Sequence, residues 1–464
     1  MSASDVYDVA VIGGGNAGLA AALTAREQGA RVLVLDAAPR HLRGGNSRHT
    51  RNLRCAHAAP TDVLTGSYSE DELLADLTRV NDGETDAALA RLVVERSAEC
   101  PAWMQRYGAR FQRSLRGTLQ LSRTNAFFLG GGTALMNGYY AAAERLRIEV
   151  RYDAEVTALA LRDGTCEALS VRTRGGTQQI RARAFVAAAG GFEANLDWLR
   201  EAWGDAARNF IVRGTPHNTG TLLRALLDAG AAPIGDAAEC HAVAVDGRAP
   251  KFDGGIVTRL DSVPLGIVVN AAAERFHDEG EDFWPKRYAI WGKLIAREAG
   301  QIAYSIVDAK VRDRFMPSVF APVEAGSIRE LAARLALPAD ALEATVQRFN
   351  AAVRAGTFDP SVLDDCSTQG LAPAKTHWAQ TLDTPPYWGY PLAPGITFTY
   401  LGVRVDADAR VQRAGGAPFE NLYAAGEIMA GNVLRHGYIA GIGMTIGTVF
   451  GRIAGRSAAQ HADR

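Results

Sequence analysis

Cysteine is scarce and scattered in this chain. Cys55, Cys100, Cys166, Cys240 and Cys366 are the only five, and no two stand at the CxxC spacing of a metal or iron–sulfur site; nor does a haem-type CxxCH occur. An odd number of distant thiols argues for reduced cysteines in a cytoplasmic protein rather than a disulfide framework. Charge of one sign is also missing. The net charge is −1 and there is no block of lysine or arginine, which excludes an electrostatic footprint for nucleic acid. There is no apolar run of membrane-spanning length, and no basic stretch followed by an apolar one at the start, so neither direct membrane insertion nor an export leader is expected. Any association with the inner face of a membrane would go through a partner. The 47% hydrophobic and 22% charged content is that of an ordinary globular protein, and 464 residues are too many for one compact core. Two domains are expected.

What is present is glycine in a specific arrangement. Tyr7 to Ile12 reads as a strand, Gly13-Gly14-Gly15-Asn16-Ala17-Gly18 as a turn opening a helix, and Arg31 to Leu35 as a second strand ending in Asp36. This layout holds an ADP-containing dinucleotide: Gly13 makes the tight turn, Gly15 lets backbone amides approach the pyrophosphate, and Gly18 lets helix and strand pack closely. The helix N-terminus faces the phosphates and Asp36 accepts from the ribose. Three further pieces suit a long flavin dinucleotide rather than a nicotinamide one: Gly44-Gly45-Asn46-Ser47, Ala189-Gly190-Gly191-Phe192, and Ala425-Gly426-Glu427 with Gly441-Ile442-Gly443-Met444-Thr445.

Helical spacing marks the segment from Asp71 to Tyr107 and the stretch from Ala134 to Leu146. Alternating runs near 156–161, 168–173 and 179–183, separated by Asp163-Gly164 and Gly175-Gly176, predict an antiparallel meander, and Phe185 to Ala189 a return to the parallel sheet. A helix at 222–229, a strand at 266–270, helices at 328–335 and 339–353 and a loop from Gly356 to Pro373 follow. The last part, with 403–407, 421–427 and a helix near 438–458, returns to the nucleotide-domain style. The expected fold class is α/β: a Rossmann-type FAD-binding domain, with parallel sheet and antiparallel meander, in two parts (1–235 and 372–464), interrupted by an inserted α+β capping domain (236–371).

The strings Gly44 to Arg54, Glu279 to Tyr288 and Gly395 to Tyr400 are specific. Through them the whole chain resembles the fumarate reductase and succinate dehydrogenase flavoprotein family, and within it the FAD-dependent tricarballylate dehydrogenases. The resemblance implies substrate held between a mobile cap and the flavin, and oxidation of tricarballylate (propane-1,2,3-tricarboxylate) to cis-aconitate. It implies that Gly13, Gly15, Asn16, Ala17 and Gly18 hold the pyrophosphate and Asp36 the ribose. Gly45, Asn46 and Ser47 would lie along the pyrophosphate and flavin, Val156 near the adenine, and Gly190 and Gly191 beside the cofactor. Gly426 and Glu427 would reach the ribityl or ribose hydroxyls, and Gly443 and Met444 the flavin pyrimidine edge. Ser47 stands where some relatives attach FAD through a histidine, so a non-covalent flavin is expected, with His49 nearby.

Removing hydrogen from a saturated polycarboxylate asks for a hydride acceptor, a base on the opposite face and arginines whose planar forks match carboxylates. The resemblance places His241 and Thr258 among the substrate-binding residues and, across a short insertion, Arg287 as the proton-shuttling arginine; Thr399 and Arg435 are expected to bind substrate as well, and Arg259, which replaces a glutamate of fumarate reductases, to bind the third carboxylate. Arginine is a base only with help, since its pKa lies above ~12; Glu279, Glu281 or Asp282 would relay the proton. Two departures stand out. Phe398, expected to contact substrate, replaces a histidine of fumarate reductases, and Tyr438, expected to act in catalysis, replaces their C-terminal substrate arginine as in steroid-dehydrogenating relatives, with Arg435 and His436 just before it. Apart from the resemblance each has a plain structural reading: His241 a hydrogen-bonded core histidine, Arg259, Arg287 and Arg123 solvated cations, Tyr438 a core aromatic. The electron acceptor implied is a membrane-bound iron–sulfur protein. Alternatives are a flavoprotein of corrin-ring biosynthesis, another fumarate reductase- or ketosteroid dehydrogenase-like flavoenzyme, or an electron-transfer subunit without chemistry of its own.

Overall fold

A computed structural model describes residues 6–114 and 121–464. The strand Tyr7–Ile12, almost entirely buried, is central in a six-stranded sheet. Its order is Arg410–Gln412, Pro418–Ala424, Ala182–Ala187, Tyr7–Ile12, Val32–Leu35, Glu149–Arg151. The pairings are parallel except the antiparallel edge pair Arg410–Gln412 with Pro418–Ala424. Such strands are covered on both faces and read as continuous apolar runs, which is how Val32–Leu35 and Phe185 to Ala187 read. The expected meander is present as Glu155–Arg162, Thr165–Thr173 and Gly176–Ile180, all antiparallel. Its first turn sets Asp163 and Gly164 at positive φ, 52° and 86°, as a two-residue hairpin requires.

The segment read as helical from Asp71 to Tyr107 is three helices, Glu70–Val80, Ala87–Ser97 and Cys100–Arg106. The first two are capped by Ser69, which accepts from the Glu72 N–H, and Asp86, which accepts from Ala88 and Leu89.

The second lobe is built on a strand that the sequence reading did not expect. Tyr387–Thr399 pairs antiparallel with Cys240–Asp246, Ala303–Asp308 and Val323–Ala325 and parallel with Ile211–Val212, while Ile267–Asn270 extends the sheet beyond Ala303–Asp308. The lobe thus draws chain from residue 211 to residue 399, on both sides of the expected 236–371. Pro391 and Pro394 disguise the strand as loop. Each pairs on one side only, with Tyr304 and Ala244, and their missing N–H groups fall where no strand is paired on the other.

The first and last helices fasten the nucleotide lobe. Asn16–Glu27 and Ile442–Ala462 approach closely along Gly447, Gly451 and Gly455; a Cβ on Gly455 would stand 2.2 Å from the Ala21 carbonyl oxygen. No helix among the described residues is long and apolar enough to cross a membrane. Helix propensity alone favours alanine over glycine by about 1 kcal/mol, whereas overpacking costs about 1–3 kcal/mol. Gly455→Ala is therefore expected to destabilise the protein in urea unfolding, and a stabilised variant would refute the close approach.

Candidate functional site

Between the carboxyl ends of the parallel strands and the second lobe runs a groove with about 1580 Å³ of open space including its mouth. Every expected cofactor residue lines it except Gly18 and Gly191, which stand behind it. Gly13, at φ 110°, leaves no room for a side chain, because a Cβ would lie 2.2 Å from the Ala188 carbonyl oxygen. Gly15 faces open space, its nearest neighbour being Ser47 Oγ at 3.5 Å from a notional Cβ, so the cradle suits a phosphate against the helix N-terminus. Asp36 is buried at the end of its strand; Oδ1 accepts from Ala38 N–H, and Tyr140 Oη lies 3.1 Å from Oδ2. Burial raises its carboxyl despite these donors.

Two residues expected along the cofactor also hold the scaffold. Asn16 N–H donates to Ser47 Oγ (3.0 Å), while its amide donates to Met444 O and Thr448 Oγ1, tying the first helix to the last. The Asn46 amide is committed on all sides: Nδ2 donates to Glu193 Oε1 (2.5 Å) and Thr397 O (2.7 Å), and Oδ1 accepts from Thr215 N–H (2.8 Å). Its side chain is a joint between the lobes. Gly443 N–H donates to Tyr438 Oη (2.9 Å).

The inner end of the groove is cationic and aromatic. Arg51, Arg213 and Arg259 converge there, with His241, Tyr288, Phe398 and Tyr438 as the wall. Arg259 donates to Asp261 (2.7 Å) and lies 4.7 Å over the Tyr288 ring. Arg51 is 3.8 Å from the same Asp261. Arg213 donates through Nε to Thr397 Oγ1 (2.9 Å), leaving its Nη1 buried without a partner; Arg51 Nε is likewise without one. Burial, then the charge of Arg259, pushes both Arg51 and Arg213 down to about 10. Burial would raise Asp261, but Arg259 and Arg51 beside it hold it below the usual carboxylate range. Two of the three guanidiniums share this carboxylate, and Arg213 rests on Thr397.

His241 is buried; burial, with Arg213 and Arg259 nearby, pushes its pKa well below the ordinary value. It is neutral, with Nε2 3.0 Å from Tyr288 Oη and its ring 4.2 Å from that of Tyr438. Burial raises the Tyr288 phenol, and Arg259, Arg213 and Arg51 oppose the rise. Tyr438 is raised too, by burial first.

Of the expected catalytic and substrate residues, His241, Arg259, Phe398 and Tyr438 meet at this site. The others lie elsewhere. Arg287 Nε donates to Glu281 and the residue does not line the groove. The next residue, Tyr288, is the one that reaches the wall. Thr258 Oγ1 turns back to Gly255 O (2.8 Å). Thr399 Oγ1 lies within reach of Phe192 N–H and Glu427 Oε1, behind the groove. Arg435 Nε donates to Glu84 O, His436 is near Glu84 and Glu239, and Arg123 pairs with Glu72. The reading missed Arg51, Arg213 and Tyr288. Arg51 and Tyr288 sit inside the specific strings 44–54 and 279–288, a signal not followed to the side chain. Arg213, after the two-residue strand Ile211–Val212, carried no signal of its own.

The family model described as an FAD binding domain matches residues 8–446. A probable fumarate reductase of Shewanella frigidimarina is 26% identical over 99% of this chain and 76% of its own length. A 3-oxosteroid 1-dehydrogenase of Mycobacterium tuberculosis is 28% identical over 75% of this chain and 66% of its own. Among solved structures, the open conformation of a flavocytochrome c3 fumarate reductase superposes with TM-score 0.75 (22% identity, 99% of this chain, 79% of that one). A 3-ketosteroid-Δ4-(5α)-dehydrogenase from Rhodococcus jostii gives 0.74 (21% identity, 98% and 96%).

Buried, incompletely paired cations call for an anion. Citrate, a polycarboxylate, should raise the melting temperature in a concentration-dependent way. Arg213→Ala and Arg51→Ala should each remove most of the shift, and the shift should fade above pH about 10 as these two guanidiniums lose their protons. An equal citrate shift in both variants would refute the anion site.

Proposed function

The chain belongs to the FAD binding domain family, its cofactor is FAD, and from that membership we propose that it is a dehydrogenase oxidising tricarballylate to cis-aconitate. One observation carries the choice of substrate: Arg51, Arg213 and Arg259 stand together at the inner end of the groove, and the one carboxylate paired with any of them among the described residues, Asp261, meets only Arg51 and Arg259. An uncharged steroid would fit the aromatic wall but leave two guanidinium charges buried and unanswered. A tricarboxylate answers them.

FAD, held non-covalently, supplies the acceptor for a hydride. The chain's own residues bind and orient: the three arginines grip carboxylates, Phe398 and Tyr438 exclude water, and the Gly443 N–H holds the Tyr438 hydroxyl. Tyr288 Oη takes the proton from the carbon next to the one that loses hydride, and its hydrogen bond to His241 Nε2 fixes its direction. This replaces Arg287 in the role that the sequence suggested. Arg287, locked to Glu281 at the edge of the site, is assigned no contact with substrate. The two electrons then leave to a separate acceptor, for which a membrane-bound iron–sulfur protein is our proposal; the chain's five cysteines are all buried and free, with no pair of them at a cluster spacing.

Anaerobic stopped-flow reduction tests the reading: tricarballylate should bleach the bound flavin, whereas succinate and a 3-ketosteroid should not. A flavin left oxidised by tricarballylate would overturn it. Tyr288→Phe should slow bleaching by about 10²–10⁴-fold with FAD still bound, the usual worth of a positioned acid–base group, while Arg287→Ala should leave it largely unchanged. Because burial raises the Tyr288 phenol and the base form is the deprotonated one, the wild-type rate should climb on the alkaline side of neutrality.

A further inference from the structure

One buried ionisable pair in the groove wall takes no part in this chemistry. Glu193 follows the turn after Ala182–Ala187, and Glu427 follows the turn after Pro418–Ala424; these strands are neighbours in the parallel sheet, so the turns leave it side by side. Glu193 is fully buried, and Glu427, 9% exposed, lines the groove. Glu193 Oε1 accepts from the amides of Asn46 (2.5 Å) and Asn218 (2.7 Å). Glu427 Oε1 accepts from Thr399 N–H (2.8 Å) and lies 3.2 Å from Thr399 Oγ1. The second Glu193 oxygen, Oε2, is buried and receives no N–H or O–H from amide, hydroxyl or cation. The Glu427 carboxyl lies close enough to interact directly with that of Glu193. Cys240, which faces Glu193, and Tyr438, which faces Glu427, are both uncharged at neutral pH.

Two carboxylates in contact away from water cannot both be ionised, and one proton between them satisfies the orphaned oxygen. We propose that Glu193 and Glu427 share a single proton, and that Glu193 is a positioning residue whose role is to keep Glu427 uncharged in the wall of the cofactor groove. Glu427 donates through its second oxygen to Glu193 Oε2 while Oε1 keeps the Thr399 N–H. Burial and the Glu193 charge both hold Glu427 well above the usual carboxylate range. The consequence concerns charge. The groove must accept a pyrophosphate, and an ionised Glu427 would oppose it; with Glu193 as its proton partner, the carboxyl binds as a neutral group. This inference rests on the FAD reading of the groove, and not on the choice of substrate.

Infrared spectroscopy of protein carrying ¹³C-labelled glutamate tests it on the apoprotein, without turnover. At neutral pH the wild type should show one buried protonated-carboxyl stretch that shifts with the label and in D₂O. Glu193→Gln and Glu427→Gln should each abolish the band, because the remaining carboxylate then receives the new amide and ionises. No such band in the wild type, or a band that persists in either variant, would overturn the shared proton. The wild-type measurement stands even where a variant fails to fold. In titrations of apoprotein with FAD, Glu193→Gln should bind several-fold more weakly, and unchanged affinity would overturn the link between the pair and the cofactor.

Discussion

Uncompensated positive charge under a lid of protein is the constraint around which this molecule is arranged. Burying a guanidinium costs several kcal/mol unless a partner offsets it, and here Arg51 and Arg259 share Asp261 while Arg213, beside them, has no carboxylate partner among the described residues. The fold holds all three where water does not reach them freely. Arg51 comes from the link between Gly45–His49 and Asn52–Arg54, Arg213 from just after the two-residue strand Ile211–Val212 at the edge of the second sheet, and Arg259 from the turn after Ile256–Thr258. No one element could place them. The rigidity comes from the sheet around Tyr387–Thr399, whose end supplies Thr397 to Arg213 and Phe398 to the wall. That arrangement is stable only if folding of the scaffold offsets the cost of the cations, and it leaves a site whose missing component is an anion.

The glycine-rich loop, the acid-ended strand and the meander were legible because each depends on local chemistry: positive φ at a turn, close approach of backbone, alternation along an edge. All sit where the sequence put them. Less legible was the second lobe. Tyr387–Thr399 carries two prolines and two glycines, and only the pairing of the whole sheet reveals that the prolines fall at gaps in the ladder. Among site residues the division is the same. His241, Arg259, Phe398 and Tyr438 each stood at a position that the family likeness marked, and they converge. Arg287 lay across an insertion. A shift of one residue on a short helical turn rotates the side chain by about 100°, which turns Arg287 toward Glu281 and brings Tyr288 inward.

Similarity to both a fumarate reductase and a steroid dehydrogenase acquires a physical meaning at the inner end of the groove. The aromatic wall of Tyr288, Phe398 and Tyr438 presents flat apolar surface, and the arginines present charge. The two features are not alternatives, because an aromatic ring stacked under a guanidinium, as Tyr288 is under Arg259, strengthens the cation's hold on its position without neutralising it. The hydroxyl at the edge of that ring then lies in a positive potential that lowers the cost of the phenolate. Burial still holds the phenol above its ordinary value, and the three cations only limit the rise.

Charge is also graded along the groove. At the outer part, glycine amides and the start of the Asn16–Glu27 helix face the space; in the wall, Glu427 is backed by Glu193; at the inner end stand the guanidiniums. A dinucleotide lying along this path carries its negative charge on the pyrophosphate and none on its aromatic ring. A carboxylate fixed in the wall would cost binding energy at every approach of that pyrophosphate and would pair with the arginines in competition with substrate. The second acidic residue does not double the negative charge, because proximity forces one proton to stay, and the charge that remains sits on Glu193, behind the wall. Asn46 connects the two ends of this gradient: its amide donates both to Glu193 and to the Thr397 carbonyl, one residue from Phe398, so the geometry of the acidic pair and that of the substrate wall rest on the same side chain.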